Sequence, residues 1–110
     1  IMLIKAECYA RQGTPDLVNG NIELNRVVTK RAANDVLGIG ADLAPIAPAT
    51  VNDLLTQIYR NRCIELYLSG MKLEDMRRFG RPTAERKRNF FPYPFRERDS
   101  NPNTPADPAF

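Results

Sequence analysis

Apolar residues recur at helical spacing in three stretches of the chain, with runs rich in glycine and proline between them. In the first, residues 1–12, Ile1, Ile4 and Cys8 fall on one face with Leu3, Ala6 and Ala10 beside them, and Gly13 is placed to end the helix. The second runs from Pro15 or Asp16 to about Ala33, with Leu17, Leu24, Val27 and Val28 on its apolar side. Thr14-Pro15-Asp16 reads as its start: a capping hydroxyl, a proline at the first helical position and an acid in the first turn. Gly20 inside it costs about 1 kcal/mol relative to alanine on propensity alone. Two helices joined by so short a turn make an antiparallel hairpin. Residues 34–49 form a connector punctuated by Gly38, Gly40, Pro45 and Pro48. Thr50-Val51-Asn52-Asp53 resembles a capping box with Asp in place of Glu. It opens a third helix from Val51 to about Ser69. A short fourth helix covers residues 72–79, with Leu73, Met76 and Phe79 on its apolar edge, and Gly80-Arg81-Pro82 ends it.

One position breaks the apolar pattern. Following Val51, Leu55 and Ile58 along the third helix, the stripe reaches Arg62, then Leu66 and Ser69. A guanidinium carried into a core needs an acceptor, because an unpaired buried charge costs several kcal/mol, as an order of magnitude. Glu65, three residues on, and Asp75, beyond Gly70, are the candidate acceptors. Gly70 is suited to the left-handed conformation that ends a helix. Arg77, Arg78 and Arg81 gather near the C-terminal end of the fourth helix, where cations suit the dipole.

Composition divides the chain. Six of its nine prolines lie from Pro82 onward, which separates a helical body, 1–80, from a tail, 81–110. Residues 89–95, NFFPYPF, alternate aromatics with prolines. We expect them to lie extended across the body, burying Phe90, Phe91 and Phe95, because proline has no amide hydrogen for a helix interior or a central strand. Residues 100–110 are rich in Pro, Asn and Asp and read as a surface loop or a partly disordered end. The fold class expected is mainly α, with a helical hairpin, a long helix and a short helix before the extended tail. A start at Ile1 in mid-pattern reads as a fragment of a longer protein.

The net charge is +3, but residues 72–98 hold nine basic and four acidic side chains. That excess reads as a solvated or ion-paired surface. The basic run in TAERKR is short and no nucleic-acid motif frames it, so nucleic acid is not an expected partner. The chain has no histidine, and Cys8 and Cys63 share no metal-binding spacing. They read as two buried free thiols, with a disulfide between their helices as the alternative. Glu74 and Asp75 are adjacent and diverge on a helix, so no paired carboxylates are placed for acid–base work. No cofactor, metal or catalytic residue is indicated, and an enzyme is not expected. Gly38-Ile39-Gly40 lacks the strand-then-helix setting of a phosphate loop, and Asp42 is a lone acid.

The stretch RNRCIELYLSGMKLEDMRRFG, residues 60–80, resembles the C-terminal signature of the SusD/RagB family of surface nutrient-binding lipoproteins. That signature runs roughly E-R-x-x-E-L-x-x-E-G-x-R-x-x-D-L-x-R, then P-I-P-x-x-E and N-P. Arg62, Glu65, Leu66, Gly70, Asp75 and Arg78 match its first part. Pro92, Pro94 and Glu97 match the second, with Tyr93 for Ile, and Asn101-Pro102 the last. Asn61, Ser69, Lys72 and Met76 depart from the usual Glu, Glu, Arg and Leu. Ala6-Glu7-Cys8-Tyr9-Ala10, Gly13 and Asn25-Arg26 likewise resemble the tetratricopeptide-like helix pairs of that family. The resemblance implies a helical scaffold in which the matched residues are structural. It implies capture of an oligosaccharide or other nutrient without chemistry, a lipid anchor at the outer-membrane surface, and delivery to a TonB-dependent, SusC-like transporter. Tyr93 and Phe95 are the side chains that could stack on sugar. The other reading is a helical-repeat scaffold that binds a protein and no sugar.

Overall fold

A computed structural model describes residues 1–86 and 92–106 of the chain. Among them the regular structure is helical, with no strand: α1 (Met2–Arg11), α2 (Leu17–Val28), a single 3-10 turn (Ala32–Asn34), α3 (Val51–Glu65), α4 (Lys72–Arg78), α5 (Thr83–Arg86) and α6 (Phe95–Ser100). No helix among the described residues is long and apolar enough to cross a membrane. The chain divides into two compact units, Ile1–Lys72 and Leu73–Phe110, with the division at the first residue of α4.

In the first unit α1 and α2 form a hairpin and both pack on α3. The hairpin turn is closed by the Asp16 amide donating to the Tyr9 carbonyl at 3.0 Å. Asp16, not Thr14, caps α2: its carboxylate accepts from the Asn19 main-chain N–H at 3.0 Å. That amide, with the Asn19 side-chain amide, holds the Asp16 carboxyl below its ordinary value. A free main-chain N–H is best met by an ionised oxygen, so the acid displaces the hydroxyl two residues earlier.

The core contains Leu3, Ala6 and Ala10 from α1, Leu24 and Val28 from α2, and Leu54, Ile58 and Tyr59 from α3. This rotates α1 from the face expected. Ile1, Ile4 and Cys8 are exposed, and the buried stripe is Leu3, Ala6, Glu7 and Ala10. The small residues face inward because they let the helices approach closely. Gly20 shows how closely: a Cβ there would lie 2.6 Å from Leu54 Cδ2 and 3.6 Å from the Ala6 carbonyl oxygen. Two acids join this interior, Glu7 paired with Arg11 at 2.8 Å and Glu23 paired with Arg26 at 3.0 Å.

Helix α3 starts where the capping sequence places it. The Thr50 hydroxyl oxygen accepts from the Asp53 N–H at 3.1 Å, and the same hydroxyl donates to Asp53 Oδ2 at 2.7 Å. It ends a turn earlier than expected, at Glu65, because no apolar face continues: Tyr67 and Leu68 are exposed. Leu68 takes a positive φ of 63° there, a conformation that costs an L-residue about 1 kcal/mol. Leu68→Gly is therefore expected to raise stability by about 0.5–1 kcal/mol, read as a higher denaturant midpoint. A lower midpoint would show that the leucine side chain makes a packing contribution larger than its backbone strain.

In the second unit α4 buries Asp75 and Met76. It ends in two reinforcing bonds, Gly80 N–H to the Arg77 carbonyl at 3.0 Å and Arg81 N–H to the Met76 carbonyl at 2.9 Å. This pairing requires a left-handed residue between them, which Gly80 supplies at φ 61°. The tail is not wholly extended: α5 follows Pro82 and α6 follows Pro94. Proline lacks only the N–H that a helix start leaves unused, so it can precede a helix as well as exclude one. Phe95 opens α6 and is 76 % exposed, against the burial expected of it. Phe90 and Phe91 lie outside the described residues. Cys8 and Cys63 are free, and Cys8 is exposed rather than buried.

Candidate functional site

The residues singled out in the sequence fall into local groups. Arg62 lies on the buried stripe of α3, 7 % exposed, one turn beyond Ile58. It is not left without a partner there. Glu65, its expected acceptor on the same helix, is exposed on the last turn and takes up no ion pair among the described residues. The last turn of α3 turns this carboxylate to solvent while Arg62 points inward. Gly70 adopts φ 80°, but it lies five residues beyond the end of α3, in the turn before α4, and so does not end that helix as expected.

In the second unit Asp75 is 3 % exposed and accepts from the Arg78 guanidinium at 2.8 Å, one turn along α4. The same guanidinium lies 4.8 Å from the centre of the Phe79 ring, a cation–π distance. Glu97, Asn101 and Pro102 build a single turn. The Asn101 side-chain amide donates to Glu97 Oε2 at 3.3 Å, and Asn101 Oδ1 accepts from the Asn103 N–H at 3.0 Å. The Thr104 hydroxyl closes the turn on the Glu97 carbonyl at 2.7 Å. Pro92 and Pro94 lead into α6, where Pro94 occupies the N-cap. Tyr93 is 45 % exposed, and its carbonyl accepts from Arg98 Nε at 3.2 Å. Tyr93 and Phe95 thus present ring surface to solvent.

A more shaped surface lies along the connector of the first unit. Asn25 holds Ile46 from both sides: its amide nitrogen donates to the Ile46 carbonyl at 2.7 Å, and its oxygen accepts from the Ile46 N–H at 2.9 Å. One turn earlier, Asn21 donates to the Pro48 carbonyl at 3.1 Å. Two asparagines four apart on α2 thereby act as a strand partner for a segment whose own prolines leave it unable to pair regularly. Asn25→Ala is expected to lower stability by about 1–3 kcal/mol and to speed hydrogen exchange at the Ile46 amide. Unchanged exchange there would show that other contacts fix the connector.

The pinned connector leaves a recess on each side. One, about 530 Å³, is lined by Ile22, Arg26, Thr29, Pro45 and Ile46 among others, and is mainly apolar. The other, about 340 Å³, lies between residues 46–49 and α3, where Asp53, Thr56 and Gln57 meet Pro48 and its neighbouring alanines. Farther along the connector the Asp35 carboxylate binds Lys30 and accepts from the Leu37 and Ile39 amides at 2.9 and 3.3 Å. Those groups, Lys30 first, hold the Asp35 carboxyl below its ordinary value. No group of three or more potential metal ligands occurs among the described residues. The sequence pattern does not reveal the recesses or the asparagine clamp. The residues that make them stand more than twenty positions apart, as Asn25 does from Ile46, and only the doubled Asn21–Asn25 spacing on one helix face hints at a side chain–main chain partner.

A family model described as the SusD family matches residues 1–107. No curated protein and no solved structure matches the chain.

Proposed function

The chain belongs to the SusD family, and from that premise we propose that it forms part of a cell-surface protein that captures oligosaccharide or a similar nutrient. In this reading the protein is lipid-anchored at the outer membrane and hands its ligand to a TonB-dependent, SusC-like transporter. It binds and delivers without catalysing a reaction. The observation that carries the reading is the family match, which extends over 1–107 rather than over one motif. The local geometry is in keeping with it. Arg62, Asp75, Arg78, Glu97 and Asn101 are spent on the interior of helices and on turns, which suits a scaffold whose ligand contacts lie elsewhere.

A second reading, a tetratricopeptide-like scaffold for another protein, has one observation in its favour. The α1–α2 hairpin exposes Ile1, Ile4, Val18 and Ile22, side chains suited to stacking against a further helix pair.

Fractionation of the source cells separates the two. Antibody raised against this chain should detect a band in the outer-membrane fraction that disappears when whole cells are treated with protease. A band confined to the cytoplasmic fraction would defeat the surface reading and favour the protein scaffold.

A further inference from the structure

Resting on the nutrient-binding reading, we propose that the recess between residues 46–49 and the first two turns of α3 is a subsite for a neutral oligosaccharide. Asp53, Thr56 and Gln57 occupy successive positions of one α3 face and line the recess together. Their chemistry is complementary to a sugar edge. A carboxylate accepts from two hydroxyls, while an amide and a hydroxyl each donate and accept. The Thr56 and Gln57 side chains take no hydrogen bond within the described chain. Asp53 uses one carboxylate oxygen on the Thr50 hydroxyl, at 2.7 Å, which orients the other. Ala47, Pro48 and Ala49 form the opposing wall and suit the C–H face of a pyranose.

Two features narrow the ligand. Among the described residues no lysine or arginine lines this recess, and Asp53 contributes a negative charge, which disfavours a uronate or a sulfated sugar there. Its volume, about 340 Å³, is at the small end of ligand pockets, which fits a short segment of a glycan rather than a whole chain. The wall is also fixed before any ligand arrives. Asn25 and Asn21 hold the Ile46 and Pro48 carbonyls, so binding does not have to order the connector. The larger recess across the connector is mainly apolar and carries Arg26, and its Asn25 and Thr29 side chains are already hydrogen-bonded to the main chain.

The test is calorimetric titration of the full-length protein with maltohexaose, xylohexaose and mannohexaose, and with hexagalacturonate as the anionic counterpart. At least one neutral sugar should bind, and Gln57→Leu and Thr56→Val should each weaken it about tenfold, the loss of one or two hydrogen bonds. Thermal midpoints should match the unaltered protein. Hydrogen exchange on the unaltered protein, which does not depend on any variant folding, should show sugar-induced protection across residues 46–57. If a neutral sugar binds but neither variant nor exchange responds, the subsite is wrong and the nutrient-binding reading stands. If only hexagalacturonate binds, the neutral class is wrong. If none of the four binds, both the subsite and the reading it rests on are overturned.

Discussion

Arg62→Ala is expected to lower the unfolding free energy by about 3 kcal/mol or more. The position is 7 % exposed and sits one turn beyond Ile58, which is fully buried. Truncation removes the aliphatic stem from the interior and also leaves whatever the guanidinium engages without its donor. Arg62→Met separates the two contributions, because it keeps most of the stem and removes the charge. If the polar contribution dominates, the methionine variant will be nearly as unstable as the alanine variant. If packing dominates, it will recover most of the loss. A change near zero for alanine in a denaturant melt would place Arg62 outside the core.

Gly20→Val is expected to cost about 3 kcal/mol. The first added carbon alone would meet Leu54 Cδ2 at 2.6 Å, and Leu54 is fully buried. A second and third carbon have no space unless α2 moves away from α1 and α3. Gly20→Ala is the instructive companion. Helix propensity favours alanine by about 1 kcal/mol, whereas overpacking costs about 1–3 kcal/mol. The net effect should be destabilising but smaller than for valine. A stabilised alanine variant would mean that Leu54 changes rotamer freely and that the helices are not held at this contact.

The glycine also explains what could and could not be read from the chain. Propensity alone marks Gly20 as a weakness in α2. Its benefit, a close approach to Leu54 and the Ala6 main chain, belongs to tertiary structure. The same applies to α1. Both of its sides carry apolar residues, so periodicity identifies the helix but not which side turns inward. Packing through Ala6 and Ala10 decides the matter and leaves Ile1 and Ile4 outside. Local signals fared better. The Thr50–Asp53 cap, the break at Gly80 and the position of Arg62 on the α3 stripe are each set within a few residues. In the tail, proline's fitness just before a helix, as at Pro94 before α6, counts as much as its exclusion from helix interiors. The residues that match the family signature are legible because their spacing is local. The recesses beside the connector are not, because Asn25 and Ile46 stand 21 residues apart and meet only through the fold.

The most direct test of the central claim, that this SusD family chain serves nutrient capture, is equilibrium binding of the neutral hexasaccharides by the full-length protein. The expected result is saturable binding of at least one, preserved in Arg62→Lys, which keeps the positive charge without touching a sugar. Absence of binding to every sugar, by a protein shown to be folded, would contradict the claim and leave the helical hairpin as a surface for another protein.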